Sequence, residues 1–140
     1  MSARILLPAI FALLLSTQPV RAEVLVVIAH PDSPIGTLSR EQATHLFLGR
    51  VKLLPSGARV KVVEVEPLRE TFYRQLVRRE IAEINAYWAR LKFSGRTQPP
   101  HRVPDAAAAM ALVASDPSAI AFVEGGSLDA RARVLFHLDP

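Results

Sequence analysis

NAYWARLKFSGRTQPP, residues 85–100, is a helix with a marked exit, and its reading decides the fold. Trp88, the only tryptophan, lies with Ile81, Ile84 and Leu91 at the spacing of one buried helical face. Gly95 then permits a left-handed stop, and Pro99 and Pro100 forbid the helix from resuming. Phe93 to Val103 therefore reads as loop. Beyond it, Pro104 and Asp105 open an alanine-rich helix, AAAAMALVAS, whose small side chains allow close approach to a sheet. Asp116-Pro117 ends that helix, Ala119 to Val123 reads as a strand, Gly125-Gly126-Ser127 as a turn, and Arg133 to Leu138 as a last strand.

The same alternation runs upstream. Val24 to Ala29, VLVVIA, is continuously apolar and rich in β-branched residues, as suits a strand covered on both faces. His30-Pro31-Asp32-Ser33-Pro34 stops it. Ser39 is placed as an N-cap with Gln42 in the capping-box position, and Ala43, Leu46 and Phe47 form the inward stripe of a short helix ended by Gly49. Arg59 to Val65 is a valine-rich second strand. A helix then begins around Pro67, with Phe72 and Leu76, and Tyr73 and Val77, one turn apart. Strands alternating with helices predict an α/β fold of three layers, a mainly parallel sheet flanked by helices and joined by right-handed crossovers.

Residues 1–22 read as an export signal: Arg4 supplies the charge, Ile5 to Leu15 is apolar but too short to anchor in a bilayer, and Val20-Arg21-Ala22 is a cleavage site. Residues 23–140 then form one domain, and the expected location is the periplasm. The chain has no cysteine, so nothing in it relies on the oxidising compartment. Its formal net charge is +4, and loss of Arg4 and Arg21 with the signal halves that excess. The remaining positive charge is local, concentrated from Arg69 to Arg102, and fits attraction of a small anion or an acidic surface. An exported chain without a recognition motif is not expected to bind nucleic acid.

Residues that could carry chemistry are few. His30, His45, His101 and His137 share no metal-ligand spacing, so no metal or cofactor is expected. Ser39 and Ser127 lack a nucleophile-elbow context and the carboxylates form no paired motif, so the chain reads as a binding module and not an enzyme. Because open α/β sheets place ligands at the carboxyl ends of their strands, the expected ligand contacts are Arg69 and Thr71 at the start of the second helix. Ser33, Thr37 and Ser127, at the ends of the first and third strands, are their expected neighbours.

Three blocks of the sequence resemble the phosphate-type periplasmic solute-binding proteins: Val24 to Arg50 with its FLG ending, INAYWARLKFSGRTQPP at 84–100, and DPSAIAFVE at 116–124. The resemblance implies one lobe of a type II periplasmic binding protein, an oxyanion ligand such as phosphate, and service to an ABC-type transporter or sensor in the membrane. Two departures accompany it. Only one lobe is expected, so the wall opposite the ligand would come from a second copy or a partner. The family's Ser-Gly-Thr phosphate loop is replaced by Glu66-Pro67-Leu68 ahead of Arg69. Pro67 removes an N–H donor and Glu66 repels an anion, which opens an alternative: a ligand-free lobe kept as a periplasmic interaction or accessory module.

Overall fold

The structure is a computed structural model that describes residues 24–54 and 56–139; the expected export signal lies outside the described residues. The elements follow as β1 (Leu25–Ala29), α1 (Arg40–Phe47), β2 (Lys61–Val65), a 3₁₀ turn (Glu66–Leu68), α2 (Arg69–Val77), α3 (Ile81–Phe93), β3 (His101–Val103), α4 (Ala106–Ser115), β4 (Ala119–Glu124), a second 3₁₀ turn (Gly125–Ser127) and β5 (Arg133–His137).

The five strands form one sheet in the order β3-β2-β4-β1-β5. β2 pairs in parallel with both β3 and β4, whereas β1 is antiparallel to both β4 and β5. Four strands therefore point one way and β1 alone runs against them. The mainly parallel α/β sheet predicted from the alternation is present, with one counter-running strand that the apolar run VLVVIA could not disclose. All of β1 is buried, as the unbroken apolar run requires.

Between β2 and β3 the chain moves one way along the sheet, and between β3 and β4 it moves back. The two crossovers run in opposite directions, and the right-handed rule for parallel connections then sets α2 and α3 on one face and α4 on the other, which gives three layers. The alanines of α4 let it lie close to the sheet: Ala109, Met110 and Val113 are its buried residues, and Asp105 caps it by accepting from the Ala108 N–H at 2.8 Å. On the other side, Phe72 stacks on Phe122 of β4 with ring centroids 3.8 Å apart, and Phe47 of α1 meets Phe72 at 4.7 Å. Burial of each such ring stabilises the fold by about 1.5–3 kcal/mol.

The capping box predicted at α1 is formed: Ser39 Oγ accepts from the Gln42 N–H at 3.1 Å and Gln42 Oε1 from the Ser39 N–H at 2.9 Å. Its C-terminal end explains the FLG signature. Gly49 has φ +69, and a Cβ there would lie 2.8 Å from Cη2 of Trp88. Next to Trp88, Tyr87 donates to the Leu48 carbonyl at 2.6 Å. The two most distinctive blocks of the sequence thus meet in space, the indole of α3 filling the place a side chain at position 49 would take.

The span Phe93 to Val103, expected to be loop throughout, ends in the three-residue strand β3. β3 is an edge strand hydrogen-bonded only to β2, with Val103 its one buried residue, so it carried too little apolar pattern to be read.

Candidate functional site

β2, KVVEV, carries a glutamate among valines, and that residue organises the carboxyl-terminal edge of the sheet. Glu64 is fully buried, and a carboxylate there needs compensation from every side. Arg69 Nε donates to Glu64 Oε1 at 3.1 Å, Tyr73 Oη donates to Oε2 at 2.5 Å, and Arg102 Nε lies 3.4 Å from Oε1. Arg69 Nη2 also donates to Asn85 Oδ1 at 2.9 Å, which ties α2 to α3. Burial, with the Glu64 charge beside it, pushes the Tyr73 phenol well above its ordinary value, so it stays protonated and keeps donating.

This network sets the first expectation in a new context. Arg69, anticipated as an anion contact, is itself buried, and its guanidinium is held by Glu64 and Asn85. The signal for this was present in the sequence: a lone acid inside a valine strand must be neutralised from nearby, and the next arginine is five residues on.

The remaining expected contacts do not converge. β1 runs against β2 and β4, with Ala29 level with Ile120 at the start of β4, so Ser33 and Thr37 follow β1 out at the opposite edge from Arg69, Thr71 and Ser127. Ser33 is a turn residue: its Oγ accepts from the Ile35 N–H at 3.1 Å, and its carbonyl accepts from Arg133. Thr37 is exposed at that edge. Thr71 is exposed on the first turn of α2, and Ser127 is half-buried in the 3₁₀ turn after β4. Around the Arg69 edge the neighbours are acidic: Glu66, Glu70 and Asp105 are exposed, and Arg102 is drawn to both Glu64 and Glu66.

Cationic charge gathers elsewhere. α1, α2 and α3 bound a groove of about 700 Å³ that carries Arg40, Arg50, Arg79 and Arg90 against one carboxylate, Glu83. Arg40 donates to the Gln75 and Leu76 carbonyls at 2.7 and 3.0 Å, closing the end of α2, and Arg79 pairs with Glu83 at 3.3 Å. Arg50 and Arg90 make no ion pair among the described residues, so two guanidiniums face the groove uncommitted. Guanidinium clusters match planar or tetrahedral oxyanions through paired N–H donors. The run from Arg69 to Arg102 supplied Arg79 and Arg90, but Arg40 and Arg50 join them only through the packing of α1. Among the described residues no group of three His, Cys, Asp or Glu could hold a metal, and no helix is long and apolar enough to cross a membrane.

No protein-family model and no curated protein sequence matches the chain. Solved structures do. An ABC-type phosphate transport receptor from Vibrio cholerae superposes with a TM-score of 0.63 at 18% identity, over 81% of this chain and 45% of that one. The chain has the fold of part of a phosphate receptor. A putative phosphate ABC transporter substrate-binding protein with bound phosphate, from Clostridium perfringens, gives a TM-score of 0.65 at 16% identity, over 81% of this chain and 44% of its own. PstS from Borrelia burgdorferi gives 0.57 at 14%, over 81% and 46%. The chain thus spans less than half of each receptor, and the shared fold is the single lobe that its sequence blocks implied.

Proposed function

We propose that the chain is a periplasmic solute-binding-type module that holds a small oxyanion, phosphate or a close analogue, for an ABC-type transport or sensing system. The single observation that carries this is the groove between α1, α2 and α3, where four arginines face one glutamate on a lobe of phosphate-receptor fold. The groove is open and larger than one oxyanion, so binding by this lobe alone is weak and strengthens when a partner or a second copy covers it. Titration calorimetry with phosphate, sulfate and chloride tests the reading. The expected result is saturable heat for the tetrahedral oxyanions and none for chloride, with at least a tenfold loss in the Arg50→Gln/Arg90→Gln variant. Equal heats for that variant and the parent protein would remove the groove from consideration.

A second reading is favoured by the closed edge around Glu64. Arg69 is neutralised there and Pro67 offers no N–H, so the lobe is instead a docking module for a transporter or sensor and has no small ligand of its own. Recovery of a membrane transport or sensor protein on the immobilised module, lost with the same arginine variant, supports that reading when the calorimetry is silent. Cell fractionation and the N-terminal sequence of the mature protein test export, which requires a start at Glu23.

A further inference from the structure

A second cavity, sharing no residue with the arginine groove, opens at the amino-terminal edge of the parallel strands. It has a volume of about 400 Å³, within the range of small-molecule sites. Its walls are mostly apolar, with Val60, Pro100 and the indole of Trp88 among the residues that line it. The loop after α3 forms one side: Gly95, at φ +71, turns the chain back, and Pro99 and Pro100 hold it extended into β3. Gly49 and Trp88 in contact form another.

Two features distinguish this cavity from a packing defect. The indole Nε1–H of Trp88 is buried, the residue being 5% exposed, and it has no hydrogen-bond partner among the described residues. A buried donor left unmet costs about 1–3 kcal/mol, which a reorientation of the indole toward the cavity and an acceptor held there would recover. The rim carries the cations Lys52, Arg59 and Lys61 and no carboxylate, with Asp116, which Lys61 also acts on, outside the lining. Lys52 Nζ is engaged by the Arg96 carbonyl at 2.9 Å, while Arg59 forms no ion pair among the described residues.

The geometry points to a binding site for a small hydrophobic carboxylate, whose apolar body lies against Trp88 and the prolines and whose acidic group meets Arg59 and Lys61. The apolar wall excludes a bare inorganic oxyanion as the preferred occupant, and the cationic rim disfavours a neutral one.

Trp88 is the only tryptophan, so its emission reports on this cavity directly. The mature protein is titrated with phenylacetate and with phenylacetamide, which has the same ring and no charge. The expected outcome is a saturable change in emission with phenylacetate, at least fivefold weaker with phenylacetamide, and at least fivefold weaker for phenylacetate in the Arg59→Gln/Lys61→Gln variant. Both of those residues are exposed, so the variant keeps the parent melting temperature. Calorimetry on Trp88→Phe, which keeps an aromatic wall and loses the N–H, should show a severalfold loss as well. No saturable change with phenylacetate, an equal response to the amide, or an unaltered affinity in the arginine-lysine variant each overturns the assignment.

Discussion

Replacing Arg69 by Met separates a structural arginine from a ligand-binding one. Met preserves the unbranched apolar stem, so the volume lost is small and the change is mainly in charge. Glu64, with its side chain 1% exposed, would keep Tyr73 and a longer contact to Arg102, whose own side chain is 45% exposed and hydrated. Removing one partner of a buried ion pair costs about 3–5 kcal/mol. The surviving Arg102 and Tyr73 place the expected loss at the lower end, about 3 kcal/mol. With an m-value of about 2 kcal/mol/M in urea, the unfolding midpoint falls by about 1.5 M. Adding Glu64→Gln removes the charge that needs compensation and leaves Tyr73 an acceptor, so the double variant recovers more than half of the loss, a coupling of roughly 1.5–3 kcal/mol. Equilibrium urea denaturation of the four proteins measures the cycle. A midpoint within about 0.3 M of the parent for Arg69→Met, together with lost oxyanion heat, would refute the structural role and restore Arg69 as a ligand contact; a surface arginine free of such a network changes stability by only about 0.5 kcal/mol.

Two further predictions rest on the same geometry. The Tyr73 phenol has a folded pKa raised above its unfolded value of about 10, so its contribution is complete below that pH and is lost as pH rises through the folded pKa. The urea midpoint should therefore decline above about pH 10, and Tyr73→Phe should flatten that decline while costing about 1.5–3 kcal/mol at neutral pH through the hydrogen bond Glu64 loses. A Tyr73→Phe protein with the parent's alkaline profile would contradict this. Gly49→Ala combines a left-handed φ, worth about 1–2 kcal/mol, with a Cβ 2.8 Å from the indole, an overpacking worth about 1–3 kcal/mol. A thermal melt should show a loss of roughly 2–5 kcal/mol with altered tryptophan emission, and a melt like the parent's would mean the Gly49–Trp88 contact is not close.

What the sequence disclosed and what it withheld divide along physical lines. The capping box at Ser39, the Asp105 cap, the buried stripe through Trp88 and the continuous apolar strands are local patterns, and each is in place. The direction of β1 was illegible because a strand buried on both faces has the same composition whichever way it runs. That single reversal separates Ser33 and Thr37 from Arg69 and Thr71. β3 was illegible for lack of length. Arg69 was expected as an anion contact and its pairing with Glu64 went unread, although the lone acid inside the valine strand signalled it, because a helix-start arginine looks alike whether it faces solvent or a buried acid.

The closed edge and the open groove have a joint consequence for selectivity. A helix-start site encloses an anion in fixed N–H donors and so discriminates by geometry. Here Pro67 removes one N–H from that edge and Glu64 holds the Arg69 guanidinium, while unpaired positive charge lies in a groove open to water. Exposed guanidiniums attract phosphate and sulfate through charge, screened over a Debye length of about 8 Å at physiological salt. Shape offers little to distinguish two tetrahedral ions until something dehydrates them. If the groove holds an oxyanion as proposed, discrimination between such anions must therefore come from a surface that covers Arg50 and Arg90, and the specificity would belong to that assembled interface rather than to the lobe alone.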